Sequence, residues 1–177
     1  MFNEFSNLVN IRQACRQYNK KAVEQEKLDK IIELSLLAPS ACNSQPWKLY
    51  CVTCKDKVDM VRKALQRDNH NTFLDEVNCF IAVSETSAKL RSDVGSNFDN
   101  NHFVKYDIGE IVAYITLSAK ALGLDTCVIG WVDKAELNSA LSLPENECCN
   151  LVVAVGYSDI PVRKKSRKPL DETVKYL

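Results

Sequence analysis

Cations occur near both ends of the chain in spacings that suit a phosphate. Arg12 and Arg16 lie four apart, with Tyr18 as an aromatic anchor, and Arg163-Lys164-Lys165-Ser166-Arg167-Lys168 forms a basic run near the C-terminus. Arginine can grip a phosphate through two parallel N–H groups. Read locally, the same residues are a solvated turn and a solvated tail. Between them, Leu36 to Trp47 reads Leu-Leu-Ala-Pro-Ser-Ala-Cys-Asn-Ser-Gln-Pro-Trp. Pro39 stops a helix, because its ring removes an amide donor and drives the preceding residue out of the helical region. Ser40, Asn43, Ser44 and Gln45 then place short polar side chains and free amides at a bend, where a rigid scaffold can present hydrogen bonds to a planar ligand. The same composition also describes an ordinary loop closed by a packing tryptophan. A strand running into Gly130 adds a position where backbone can approach a flat ring closely.

Cysteine chemistry is a weaker candidate. The eight cysteines stand at 15, 42, 51, 54, 79, 127, 148 and 149. Cys51-Val-Thr-Cys54 has the letters of a redox pair, but it lies in a strand-like run, whereas such a pair wants a helix N-terminus to lower the first pKa. A zinc site would need a second ligand pair, and His70 and His102 lack the spacing to supply one. The cysteines are therefore expected to be reduced, small, buried hydrophobes. Neither G-x-G-x-x-G nor G-x-x-x-x-G-K-[ST] occurs, so dinucleotide and nucleotide-triphosphate folds are not supported.

The 177 residues suit one domain with an arm, and 23 Lys+Arg against 23 Asp+Glu give no net field to gather nucleic acid or anionic lipid. The start, Met1-Phe2-Asn3-Glu4-Phe5, has no signal-peptide pattern, and no apolar run approaches the ~20 residues of a membrane span. A soluble, cytoplasmic protein is expected. A short amphipathic turn or helix is expected over Met1 to Val9, and helices over Glu24 to Leu37, Asp56 to Gln66, Tyr106 to Leu122 and from Asp133 through Leu141. Glu136 completes a capping box with Asp133. The helix from Tyr106 looks apolar nearly all round, hence buried centrally or at a subunit contact, and Gly123 caps it. Strands are expected over Trp47 to Thr53, Cys79 to Val83 and Leu124 to Ile129, and the stretch from Cys148 to Tyr157 carries a buried strand over Leu151 to Gly156. Segment 67–72 reads as a polar loop, Ser84 to Asn101 as a surface loop or lid, and 158–177 as an arm too polar to form its own core. Helices and strands mix without a strict βαβ rhythm, which makes the class α+β.

Arg12-Gln13-Ala14-Cys15-Arg16-Gln17-Tyr18, Ala38 to Trp47 and Lys165-Ser166-Arg167 together resemble the nitroreductase family of FMN-dependent oxidoreductases, and the resemblance covers nearly the whole chain. It implies an α+β sandwich with a mixed sheet flanked by helices. It also implies a homodimer with exchanged C-terminal arms and two FMN sites at the interface. Arg12, Lys165 and Arg167 would hold the phosphate, and Arg16 would approach the N1/O2 edge of the ring. Gln13 and Ala14 fall in the same phosphate and ribityl segment. Pro39, Ser40, Ala41 and Asn43 would reach the cofactor from the neighbouring subunit. Asn69 stands where the family often has a flavin-contacting Asn, and the amides of Ile129 and Gly130 would face the N5/O4 edge.

The implied activity is hydride transfer from NAD(P)H through flavin N5 to a nitroaromatic, quinone or similar small oxidant, in a ping-pong cycle needing no protein acid or nucleophile. Two other readings remain: an FMN storage or sensing protein of the same fold, and a cysteine-rich module whose basic arm docks an acidic partner. Where the family commonly has Arg-Arg-Ser, this chain has Arg12-Gln13-Ala14. One cation and one hydroxyl are lost there, which places more weight on the cluster at 165–168.

Overall fold

A computed structural model describes residues 1–177. Its centre is a four-stranded sheet made of β1 (Trp47–Val52), β2 (Cys79–Glu85), β3 (Asp125–Ile129) and β4 (Cys148–Gly156), in the spatial order β1-β2-β4-β3. All three strand pairs are antiparallel. The mixed sheet implied by the resemblance is therefore confined to one parallel bridge, Ala14 to Thr126, where the segment after the first helix lies along β3. Strand direction was not readable from β2 and β4. They are buried on both faces, so their sequences are continuous apolar runs that carry no alternation.

Alternate side chains of those strands feed two cores. Cys79, Ile81, Val83, Val153 and Val155 point into one, closed by α2 (Gln25–Ser35) and α5 (Val104–Ala121) through Leu28, Ile31, Ile108, Ile111 and Ile115. Phe80, Ala82, Val152 and Ala154 point into the other, closed by α3 (Lys55–Leu65) and α6 (Lys134–Leu141) through Val58, Val61, Leu65 and Leu137. At roughly 1.5–3 kcal/mol per fully buried aliphatic side chain, these two layers supply the main driving force of the fold. Trp47 is buried in the first of them, as an anchor for the start of β1.

Local signals set the ends of the elements. The Asp133 side chain accepts from the Glu136 backbone N–H at 3.1 Å and caps α6, but the reciprocal half of the expected box does not form: the Asp133 N–H donates to the Ala64 carbonyl at 2.9 Å and the Glu136 side chain pairs with Lys63 at 3.1 Å. Gly123, at φ +76°, turns the chain out of α5 in the left-handed region that other residues enter at a cost. Segment 67–74 is two 3₁₀ turns rather than a plain loop, with Asp68, Asn69 and Asn71 all left-handed. The expected lid is shorter than read, since β2 runs on through Ser84 and Glu85, and α4 (Ser92–Gly95) interrupts the remainder.

One helix departs from its sequence reading. α5 buries Ile108, Ile111, Val112 and Ile115 but turns Tyr106, Gly109, Ala113 and Tyr114 to solvent. The amphipathic α1 (Phe2–Ile11) lies against α5 and buries none of its own residues, leaving Phe2 80% and Tyr106 68% exposed. Leu34, Leu36 and Leu37 at the end of α2 are exposed as well. Beyond β4 the chain is extended, apart from a single turn, α7 (Leu170–Thr173).

Candidate functional site

The arm folds back along the segment after α1. Ser158 Oγ donates to the Gln17 carbonyl at 2.6 Å, and Asn19 Nδ2 donates to Asp159 at 3.1 Å. Further along, the Arg163 backbone N–H donates to Gln13 Oε1 at 3.0 Å, and Lys165 Nζ donates to the Arg12 carbonyl. Two stretches about 150 positions apart thus run side by side, and between them lies a cavity of about 360 Å³. Tyr18 fixes this segment to the sheet. Its ring packs so close to Gly156 that a Cβ there would sit 2.9 Å from Tyr18 Cδ1.

That cavity is lined by Arg12, Gln13, Ala14 and the whole run from Arg163 to Arg167, with no carboxylate among them. None of its five cations takes part in an ion pair. Lys165 is held below its ordinary value by burial first, and then by the neighbouring Arg12, Arg167 and Arg163. Like charges packed this way repel by about 1 kcal/mol per pair even in water-like surroundings. The arrangement is therefore suited to an anion that neutralises it.

The other candidates fall elsewhere. Arg16 is exposed, lies near the Cys127 thiol and does not line the cavity. Pro39, Ser40, Ala41 and Asn43 line none of it either. Their bend is built on Asp107 of α5, a buried carboxylate that accepts from the Ala41 N–H at 2.9 Å, while Ser40 Oγ accepts from the Gln45 N–H at 2.9 Å. Cys42, Asn43 and Gln45 are all left-handed, an accumulation of backbone strain that these two bonds help to hold. Asp107 had no role in the sequence reading. The signal available was an acid in the first turn of an otherwise apolar helix.

The turn that carries Asn69 is tied, through its neighbours His70 and Asn71, to Trp131, the residue after Gly130. Asn71 Nδ2 donates to the Leu65 carbonyl at 2.8 Å and to the Trp131 carbonyl at 3.3 Å, tying the left-handed turn to the end of β3. The rings of His70 and Trp131 lie 4.3 Å apart there, and Trp131 is 56% exposed. Ile129 is the last paired residue of β3, opposite Val152, and Gly130 follows it into solvent. A Cβ at Gly130 would meet only Leu151 at 3.5 Å, an ordinary contact, so nothing within this chain demands glycine there.

All eight cysteines are free. Cys15, Cys79, Cys127 and Cys149 are buried as expected, and burial pushes the Cys79 and Cys149 thiols up to about 12. Cys42, Cys51 and Cys54 are exposed, contrary to the expectation of buried hydrophobes. Cys54 does precede a helix, α3, but the surrounding protein shields the Cys51 thiol from water even though the residue as a whole is exposed, and its pKa is raised rather than lowered.

A sheet enclosed by helices on both faces, with a cationic cavity between the segment after the first helix and the C-terminal arm, defines the architecture as α+β. Residues 9–157 match the model described as the Nitroreductase family, and the chain belongs to that family. It is 25% identical to an oxygen-insensitive NADPH nitroreductase of Helicobacter acinonychis, over 96% of this chain and 95% of that one. Among solved structures it is similar to a nitroreductase family protein of Clostridium difficile, with a TM-score of 0.81, 26% identity and coverage of 96% and 95%. An FMN-dependent nitroreductase of the same organism superimposes with a TM-score of 0.74, at 25% identity and 96% coverage of both chains.

Proposed function

We propose that this protein is an FMN-dependent oxidoreductase that draws on NAD(P)H and reduces a small planar oxidant such as a quinone or nitroaromatic. The observation that carries the reading is the cavity with five cations and no carboxylate. The residues fit a phosphate group: Arg12 and Arg167 offer paired N–H donors, and Lys165 supplies a point charge between them. Bound FMN would supply the hydride chemistry, and the protein's part is to hold and orient it.

The rest of the site assembles from the residues already described. The Ile129 and Gly130 backbone, with Asn69 in the turn tied to Trp131, offers amides to one edge of a flat ring. Arg16 would provide positive charge at the other edge. Pro39, Ser40, Ala41 and Asn43 lie away from this chain's own cavity, so a second copy would bring them, together with residues 168–177 of the arm. Two features support a homodimer. The apolar side chains on α1, α5 and the end of α2 are exposed, and the outer edge of β1 carries no partner strand. No helix is long and apolar enough to cross a membrane.

The test is the absorption of the purified protein near ~450 nm, followed by NADH and NADPH oxidation with menadione or a nitrofuran. A yellow protein with oxidant-stimulated turnover is expected. A colourless protein that takes up no added FMN would overturn the cofactor assignment. Bound FMN without stimulated turnover would mark a storage protein instead.

A further inference from the structure

Gln13 is the one cavity residue that is both polar and buried, with 6% of its surface exposed. It bonds in both directions across the cleft between the two chain ends. Its Nε2 donates to the Pro161 carbonyl at 3.2 Å, and its Oε1 accepts from the Arg163 backbone N–H at 3.0 Å and from Arg163 Nε at 3.3 Å. Arg163 Nη2 also donates to the Ala14 carbonyl at 2.6 Å. A guanidinium carries five N–H donors in a planar fork. Two side-chain donors are used here, so three remain on a group that lines the cavity beside Arg12, Lys165 and Arg167.

The chemistry at position 13 is restrictive. Arginine could accept neither bond and would set a second cation against Arg163. Glutamate would accept both but would bring a negative charge beside the cavity. The neutral amide donates to the arm, accepts from Arg163 and leaves the full positive charge of that guanidinium available.

We infer that Gln13 is a positioning residue rather than a cofactor contact, and that it holds Arg163 as a further phosphate-binding cation alongside Arg12, Lys165 and Arg167. This rests on the reading of the cavity as the site of the FMN phosphate. Because Arg163 is fixed before ligand arrives, less side-chain ordering remains to oppose binding. The device acts on the phosphate alone. It should therefore set the preference for FMN over riboflavin, which has the same ring and no phosphate.

The experiment titrates FMN and riboflavin, by flavin fluorescence, into the full-length wild type and the variants Arg163→Met and Gln13→Glu. Arg163→Met should weaken FMN about tenfold or more, the scale of one charge-assisted hydrogen bond, and leave riboflavin within about twofold. Gln13→Glu keeps the acceptor and gains an ion pair with Arg163 but loses the donor to the Pro161 carbonyl, so some fall in melting temperature is expected; FMN should weaken by about the same tenfold while riboflavin stays within about twofold. A merely structural Gln13 would not produce that split. Equal weakening of FMN and riboflavin, or wild-type FMN binding by Arg163→Met, would overturn the inference and leave the FMN reading standing. A wild type that binds neither flavin would remove both.

Discussion

Two of the charged depressions on this surface differ in how their charges are balanced. One, of about 690 Å³, sits between α3 and α6. There Arg62 pairs with Asp59, Lys63 with Glu136 at 3.1 Å, and Arg67 with Asp133. Arg62 is spent further on the carbonyls of Leu74 and Val77, at 3.1 and 2.7 Å. The other, about half that size, holds five cations and no carboxylate. The larger depression is a seam between two helices whose charges satisfy one another. The smaller one carries charge that the chain leaves unsatisfied, in a protein whose net charge is zero. Volume and charge balance therefore rank these two regions in opposite orders, and the proposed function follows charge balance.

The strongest way to break the comparison is to neutralise the unbalanced region. Arg12→Ala combined with Arg167→Ala removes two charge-assisted contacts worth roughly 1.5–3 kcal/mol each, so the FMN Kd should rise by about two to four orders of magnitude. Purification of the double variant should yield colourless protein with a melting temperature close to that of flavin-free wild type. Unchanged flavin occupancy would refute the phosphate assignment. The matching change in the balanced region is Asp133→Ala. It removes the cap of α6 and releases Arg67, costing about 1 kcal/mol for the cap and at most about as much for the partly exposed pair. For a chain of this length that is a fall of about 2–8 °C in melting temperature. The ratio of FMN to riboflavin affinity should not change. If it does, the two regions are not independent.

Much of this arrangement could be read before the structure. The apolar runs of β2 and β4, the helix ending at Gly123 and the Asp133–Glu136 cap all follow from local physics, and each lies where expected. Arg12, Lys165 and Arg167 do line one cavity. What could not be read depended on contacts between distant segments. Arg163 was one cation in a run of several, and an extended arm has no period to say which of them turns inward. Gln13 looked like a lost cation, because its two-sided bonding to residues about 150 positions away leaves no trace in sequence. Asp107 reads as an acid near a helix start, and only the fold shows it supporting the bend at Ala41. The composition of α5 could not say that one apolar face would stay uncovered within a single copy.

The smallest expected effect concerns the protonation of the unbalanced region. Lys165 has its pKa lowered from the ordinary 10.5 by burial and by the three arginines around it. Below that lowered pKa it is charged in both the folded and the unfolded chain, and its charge opposes folding of the flavin-free protein. The penalty is relieved as pH rises through the folded pKa towards 10.5, where the unfolded chain also loses its proton. FMN binding should run the other way, because a phosphate favours the charged amine. Affinity should begin to fall at a lower pH than an ordinary lysine would allow, and the phosphate should lift the pKa back in the complex. Arginine does not titrate in this range. In Lys165→Arg, the FMN Kd measured from pH 7 to 10 should therefore lose the alkaline rise that the wild type shows, while riboflavin binding is flat in both. An identical alkaline rise in the variant would show that another group governs it and would remove Lys165 from the phosphate set.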